Sequence, residues 1–195
     1  MQKDSLMTDE PNAKSSGEKT ISNLSRFDPH YSNERKNLKY YSECLSLIEE
    51  IKLSCDINSI IDIGGRRGSF LLKTGIPEKT ALDIRPRKPS SKDVKLITED
   101  FLDWVPDKEY DIALCMQTLE HIEEDRVIDF TRRLFTFANH LIITVPYRWD
   151  KNFCKYHIHD PINKEKLHNW TGKAADRYTV VNDRELRRLI AYYKI

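Results

Sequence analysis

The chain lacks a surplus of either charge: lysine plus arginine number 32, aspartate plus glutamate 31, and the formal net charge is +1. No overall field of one sign therefore marks it as a binder of nucleic acid or of an anionic membrane, although local basic patches stay open. It also lacks any run near the ~20 apolar residues that cross a bilayer, and Met1 to Thr20 is polar where a secretory signal would be apolar. The expectation is a cytoplasmic protein with no membrane insertion. The four cysteines, Cys44, Cys55, Cys115 and Cys154, show no Cys-x-x-Cys spacing, which argues against a disulfide framework and a zinc ribbon and predicts reduced, mostly buried thiols. No internal repeat occurs, and 195 residues fit one domain.

What is there divides the chain in two. Residues 1–24 are rich in Lys, Asp, Glu, Ser, Asn and Pro with few large apolar groups, so burial cannot offset the cost of ordering, and a disordered tail is expected. Residues 25–195 read as the folded domain. Ser32 is a plausible N-cap for a helix reaching about Lys52, with Leu38, Tyr41, Leu45, Ile48 and Ile51 on one face. Short apolar runs come next at Ser59–Ile63, Thr80–Ile84, Val94–Ile97, Tyr110–Cys115 and His140–Val145, separated by turn or helical stretches. Continuous apolar strands of this kind predict a parallel sheet covered on both faces. A helix is expected over Glu123–Ala138, with Val127, Phe130, Leu134 and Phe137 inward and Glu123, Glu124 and Asp125 at the positive end of its dipole. Tyr178–Asn182 and Leu186–Tyr193 are close enough to form a terminal antiparallel hairpin.

The first strand ends in Asp62-Ile-Gly64-Gly65-Arg66-Arg67-Gly68, and a second acid, Asp83, ends the second. In an open α/β sheet ligands bind beyond the carboxyl ends of the strands, and an acid about 20 residues after the glycine loop accepts ribose hydroxyls. The dinucleotide pattern G-x-G-x-x-G does not fit: from Gly64, its second and third glycines would be Arg66 and Ser69. The stretch resembles instead the acid-x-Gly-x-Gly-x-Gly loop of class I methyltransferases that use S-adenosylmethionine (SAM), with Arg66 in place of the middle glycine. The resemblance continues from about Phe27 through Asp83, Glu99-Asp100-Phe101 and Gln117-Thr118-Leu119-Glu120-His121. It implies a Rossmann-like α/β fold with a mostly parallel sheet, a C-terminal antiparallel hairpin and helices on both faces. It also implies SAM as cofactor, S-adenosylhomocysteine (SAH) as product, and cofactor contacts from Asp62, Gly64, Gly65, Gly68, Asp83, Ile84, Asp100, Phe101 and Gln117.

Methyl transfer from a sulfonium needs alignment, and a hydroxyl acceptor also needs a base or a metal to take its proton. His121 lies just past strand four and is the first candidate base; orienting its neighbours from a helical turn is the alternative. A second histidine group, His157-Ile-His159-Asp160-Pro161, followed by Lys166-Leu167 and Trp170-Thr171-Gly172, adds His157 and His159 as catalytic candidates. Its wording resembles small bacterial methyltransferases of sugar and polysaccharide biosynthesis, which implies a sugar-like small-molecule acceptor. Alternatively, Asp160 caps a helix with Pro161 in its first turn and Trp170 in the core. Glu120, His121, His157 and His159 together suit a divalent ion, and they resemble the metal site of RNA 3′-end 2′-O-methyltransferases except that Gln117 replaces a carboxylate. Three readings stand: a SAM-dependent methyltransferase of a sugar or other polar small molecule, a metal-assisted RNA 2′-O-methyltransferase, against which the balanced charge counts, and a silent SAM-fold module kept open by Arg66. The oligomeric state is not legible.

Overall fold

A computed structural model describes residues 37–85, 87–183 and 186–195. The expected tail at 1–24, the start near Phe27 and the Ser32 cap lie outside the described residues. Helix α1 is Lys39–Ser54. Strands β1 (Ser59–Ile63), β2 (Glu78–Leu82), β3 (Val94–Ile97), β4 (Tyr110–Met116) and β5 (Ala138–Pro146) come after it, with α2 (Val127–Arg133) before β5. Helix α3 (Lys164–Thr171) precedes β6 (Arg177–Asp183) and β7 (Leu186–Lys194). The seven strands form one sheet in the order β3-β2-β1-β4-β5-β7-β6. Strands β1 to β5 pair in parallel, while β7 runs antiparallel to both β5 and β6. The mostly parallel sheet with a terminal hairpin is as expected.

Strand residues alternate between two cores because side chains along a strand point to opposite faces. Ile60, Ile112, Leu114 and Ile142 pack beneath α1 with Tyr40, Cys44, Leu47, Ile48 and Ile51. Ile61, Ile63, Ala113, Cys115, Leu141 and Ile143 pack on the other face with Val127 and Phe130 of α2 and Leu167 and Trp170 of α3. Both faces are covered, which is why the strands read as unbroken apolar runs. Cys44 and Cys115 are buried, Cys55 and Cys154 half-buried, and all four are free thiols.

Three boundaries differ from the sequence expectation. The buried face of α1 is centred on Tyr40, Cys44, Leu47 and Ile51, with Leu38, Tyr41 and Leu45 at its margin. The expected Glu123–Ala138 helix is only Val127–Arg133. Turns from Phe135 and Thr136 to the Arg132 and Arg133 carbonyls end it, and the sheet claims Phe137 and Ala138: Tyr110 N donates to Phe137 O, and Ala138 pairs with Tyr110. Strand two ends at Leu82, because the Asp83 carboxylate accepts the Arg66 and Arg85 amides and turns the chain off the sheet.

Candidate active site

The carboxyl ends of β1 to β4 open into a cavity of about 840 Å³. Gly64, Asp83, Ile84, Asp100, Phe101, Gln117, Glu120, His121 and His157 line it. Asp62, Gly65, Gly68 and His159 do not.

The β1 loop is built on backbone conformation. Gly64 has φ +77°, and a Cβ there would fall 2.5 Å from Thr118 Oγ1, so only glycine lets the loop lie against the β4 turn. Gly68, at φ +69°, would drive a Cβ to 2.6 Å from Val94 Cγ1. Arg66 takes a left-handed φ of +56°, the conformation that a middle glycine would adopt, at a cost on the order of 1–3 kcal/mol. Its amide donates to Asp83 Oδ2 at 3.1 Å.

The two acids after the loop are held ready. Asp83 accepts the Arg66 and Arg85 amides, one on each oxygen. Asp100 accepts the Leu102 amide at 3.0 Å and Nη2 of Arg126 at 2.8 Å. Burial pushes the Asp100 carboxyl up, but Arg126 and the Leu102 amide outweigh it and hold it below its ordinary range. Phe101 is buried, its ring 4.6 Å from that of Phe130 and beside Trp104 and Phe137. An acidic oxygen at each of two adjacent strand ends fits a nucleoside whose ribose hydroxyls and exocyclic amine both donate.

The other half of the cavity is built from side chains. Gln117, at φ +53°, donates from Nε2 to Thr144 Oγ1 at 3.3 Å. A 3-10 turn, Leu119–His121, then carries Glu120, which is buried, and His121. Ile158 N donates to Glu120 O at 2.9 Å and brings the 154–160 segment alongside. One ligand atom each from Glu120, His121 and His157 lies within 4.8 Å of the others. The imidazoles are oriented from behind. His121 Nδ1 lies 2.8 Å from the Tyr156 carbonyl and His157 Nδ1 2.7 Å from Asp160 Oδ2; these partners accept, so each Nδ1 donates, and in the neutral form of each ring the lone pair is on Nε2. This N/O donor set fits a divalent ion.

His159 is placed elsewhere. Its Nε2 donates to Ile122 O at 2.7 Å, its ring stands edge-on to Trp170, and burial lowers its pKa. Asp160 serves His157 instead of capping α3; Asn163 is the cap, accepting the Lys166 amide at 2.7 Å. That leaves the expected helix start at Pro161 three residues early.

Sequence reading missed Arg188, Asp183, Trp149 and Arg126. Arg188 and Asp183 form a buried ion pair at 3.2 Å, Arg188 Nε donates to Gln117 Oε1 at 3.2 Å, and the Trp149 ring stacks on His157 with centroids 5.4 Å apart. Nothing in a hairpin strand or a loop tryptophan signals such contacts. At Arg126, the acidic cluster before it points to a helix dipole and conceals the pairing with Asp100.

No protein-family model matches the chain, and no curated protein sequence matches it. Solved structures do. The methyltransferase domain of bacterial CtHen1 superposes with a TM-score of 0.56 at 18% identity, covering 77% of this chain and 97% of that one. The N-methyltransferase NodS of Bradyrhizobium japonicum WM9, in complex with SAH, gives 0.60 at 15%, covering 87% and 89%. Magnesium protoporphyrin IX methyltransferase of Synechocystis PCC 6803, with bound SAH, gives 0.63 at 13%, covering 88% and 90%. The strand order, the glycine loop and these superpositions give the chain the Rossmann-like fold of class I methyltransferases.

Proposed function

We propose that the protein is a SAM-dependent methyltransferase that methylates a hydroxyl of a sugar or similar polar small molecule, with a divalent ion held by Glu120, His121 and His157. The observation that carries this reading is the convergence of those three groups, with both imidazoles oriented through Nδ1, in the cavity that also holds Asp83 and Asp100. When bound, SAM supplies a methyl group on a cationic sulfur, and the ion makes a hydroxyl easier to deprotonate.

The chain's own residues do the rest. Asp83 accepts the ribose hydroxyls, Asp100 accepts the adenine amine, and the Gly64 loop lets the cofactor lie close to the backbone. Glu120, His121 and His157 place the acceptor oxygen, and its proton, made more acidic there, passes to water. Trp149, Phe153 and Tyr156 on the 147–157 segment offer flat faces for a sugar ring and shield the site from water.

A second reading, the 2′-hydroxyl of a ribose at an RNA 3′ end, draws on Arg66, Arg85, Arg87 and Lys155, which line the same cavity among those aromatic rings. A solved structure of the small RNA methyltransferase HEN1, a quarter of whose length this chain covers at 18% identity with a TM-score of 0.55, points the same way. The test is transfer of labelled methyl from SAM, with and without Mn²⁺, to a panel of free sugars, sugar nucleotides and short RNAs. Metal-dependent labelling of a sugar supports the first reading and of RNA 3′ ends the second. Labelling that survives Glu120→Ala with metal removed would discard the ion.

A further inference from the structure

Arg188 is 4% exposed yet lines the cavity. Its Nη1 pairs with Asp183 at 3.2 Å and its Nε with Gln117 Oε1 at 3.2 Å, while Nη2 makes no hydrogen bond among the described residues. The rings of Tyr40 and Trp149 stand 4.8 and 5.3 Å from its guanidinium carbon, within cation–π reach. The neutralising charge is itself shared: Asp183 accepts the Lys39 amide at 2.5 Å and the Tyr40 amide at 3.4 Å, capping the positive end of α1. A buried cation whose counter-ion is divided with a helix end, and whose free N–H edge borders a cavity, is built to meet an anionic oxygen.

The direction of the cofactor says which oxygen. Asp100, Asp83, Gly64 and Gln117 stand beyond the ends of β3, β2, β1 and β4, neighbouring strands about 4.8 Å apart. An adenosyl group anchored at Asp100 and Asp83 therefore extends its amino-acid tail across Gly64 toward Gln117, where Arg188 waits. Resting on the SAM reading above, we infer that Arg188 receives the carboxylate of the cofactor's amino-acid tail, with Asp183 holding the guanidinium in place.

The test edits protein and ligand together. SAH carries the carboxylate; 5′-methylthioadenosine keeps the nucleoside and sulfur and lacks the tail. Calorimetry with both ligands on the wild type, Arg188→Lys, Arg188→Met and the charge-neutral pair Asp183→Asn/Arg188→Met covers the case in which the single methionine variant does not fold. The expected result is SAH binding at least tenfold weaker in Arg188→Met or the double variant, partial retention in Arg188→Lys, and methylthioadenosine binding within twofold throughout. Equal weakening of both ligands, or SAH binding that stays within twofold, overturns the role of Arg188 while leaving the cofactor reading intact. A folded wild type that binds neither ligand overturns both.

Discussion

The two halves of the cavity are made by different means. On the β1 to β3 side the backbone makes most of the site: Gly64, Gly68 and Arg66 hold positive φ, Asp83 is positioned by two amides, and Asp100 by the Leu102 amide together with one remote side chain, Arg126. On the β4 to β7 side distant side chains make it. Glu120, His157, Asp183 and Arg188 come from four segments and are fixed by contacts spanning up to 144 residues, as from Lys39 to Asp183. A site made by local turns tolerates the loss of a remote side chain; one made by convergence does not.

Side-chain deletions should therefore split the halves. The largest effect is expected at Asp183, which is 4% exposed and serves both Arg188 and the α1 amides. Asp183→Ala leaves a buried cation unpaired and should cost about 3–5 kcal/mol in chemical denaturation. Next is Glu120→Ala, which should weaken Mn²⁺ binding by more than about a hundredfold, because even an outer-sphere partner is worth roughly 10–100-fold. SAH binding in that variant should stay within twofold, and a parallel loss would show that the halves are not separable. Asp160→Asn, at the carboxylate whose one side-chain hydrogen bond among the described residues is to His157 Nδ1, should weaken Mn²⁺ about tenfold as the imidazole loses its orientation.

The difference between the halves is also the difference between what the sequence discloses and what it hides. Asp62-x-Gly64 to Gly68 and Asp83 are read directly, because a tight turn at a strand end needs those residue types in that local order. The five parallel strands are equally legible, since burial on both faces writes itself as unbroken apolar runs. Glu120, His121 and His157 are grouped from sequence together with His159, which the fold sends elsewhere; what joins the three is the Ile158 to Glu120 backbone bond and the Asp160 carboxylate, and Asp160 beside a proline reads as a helix cap. Helix α2 reads overlong in sequence because Leu134 and Phe137 continue its apolar spacing, while strand pairing with β4 decides where it stops.

The smallest effect is expected at His159, which belongs to neither half. Burial holds its folded pKa below the ordinary 6.5, so the stability it contributes is complete above that value and declines as pH falls through 6.5 toward the folded pKa. Thermal stability should therefore drop between about pH 7.5 and 5.5, and His159→Asn should flatten that slope. An unchanged slope would place the titration in another group.

The central claim, that this cavity holds a SAM-type nucleoside, is tested most directly by titrating SAH into the wild type beside Asp83→Ala. Micromolar binding is expected, weakening at least tenfold, about 1.4 kcal/mol, once the ribose contact is removed. A well-folded wild type that binds no SAH, or one that binds it equally well without the Asp83 carboxylate, would contradict it.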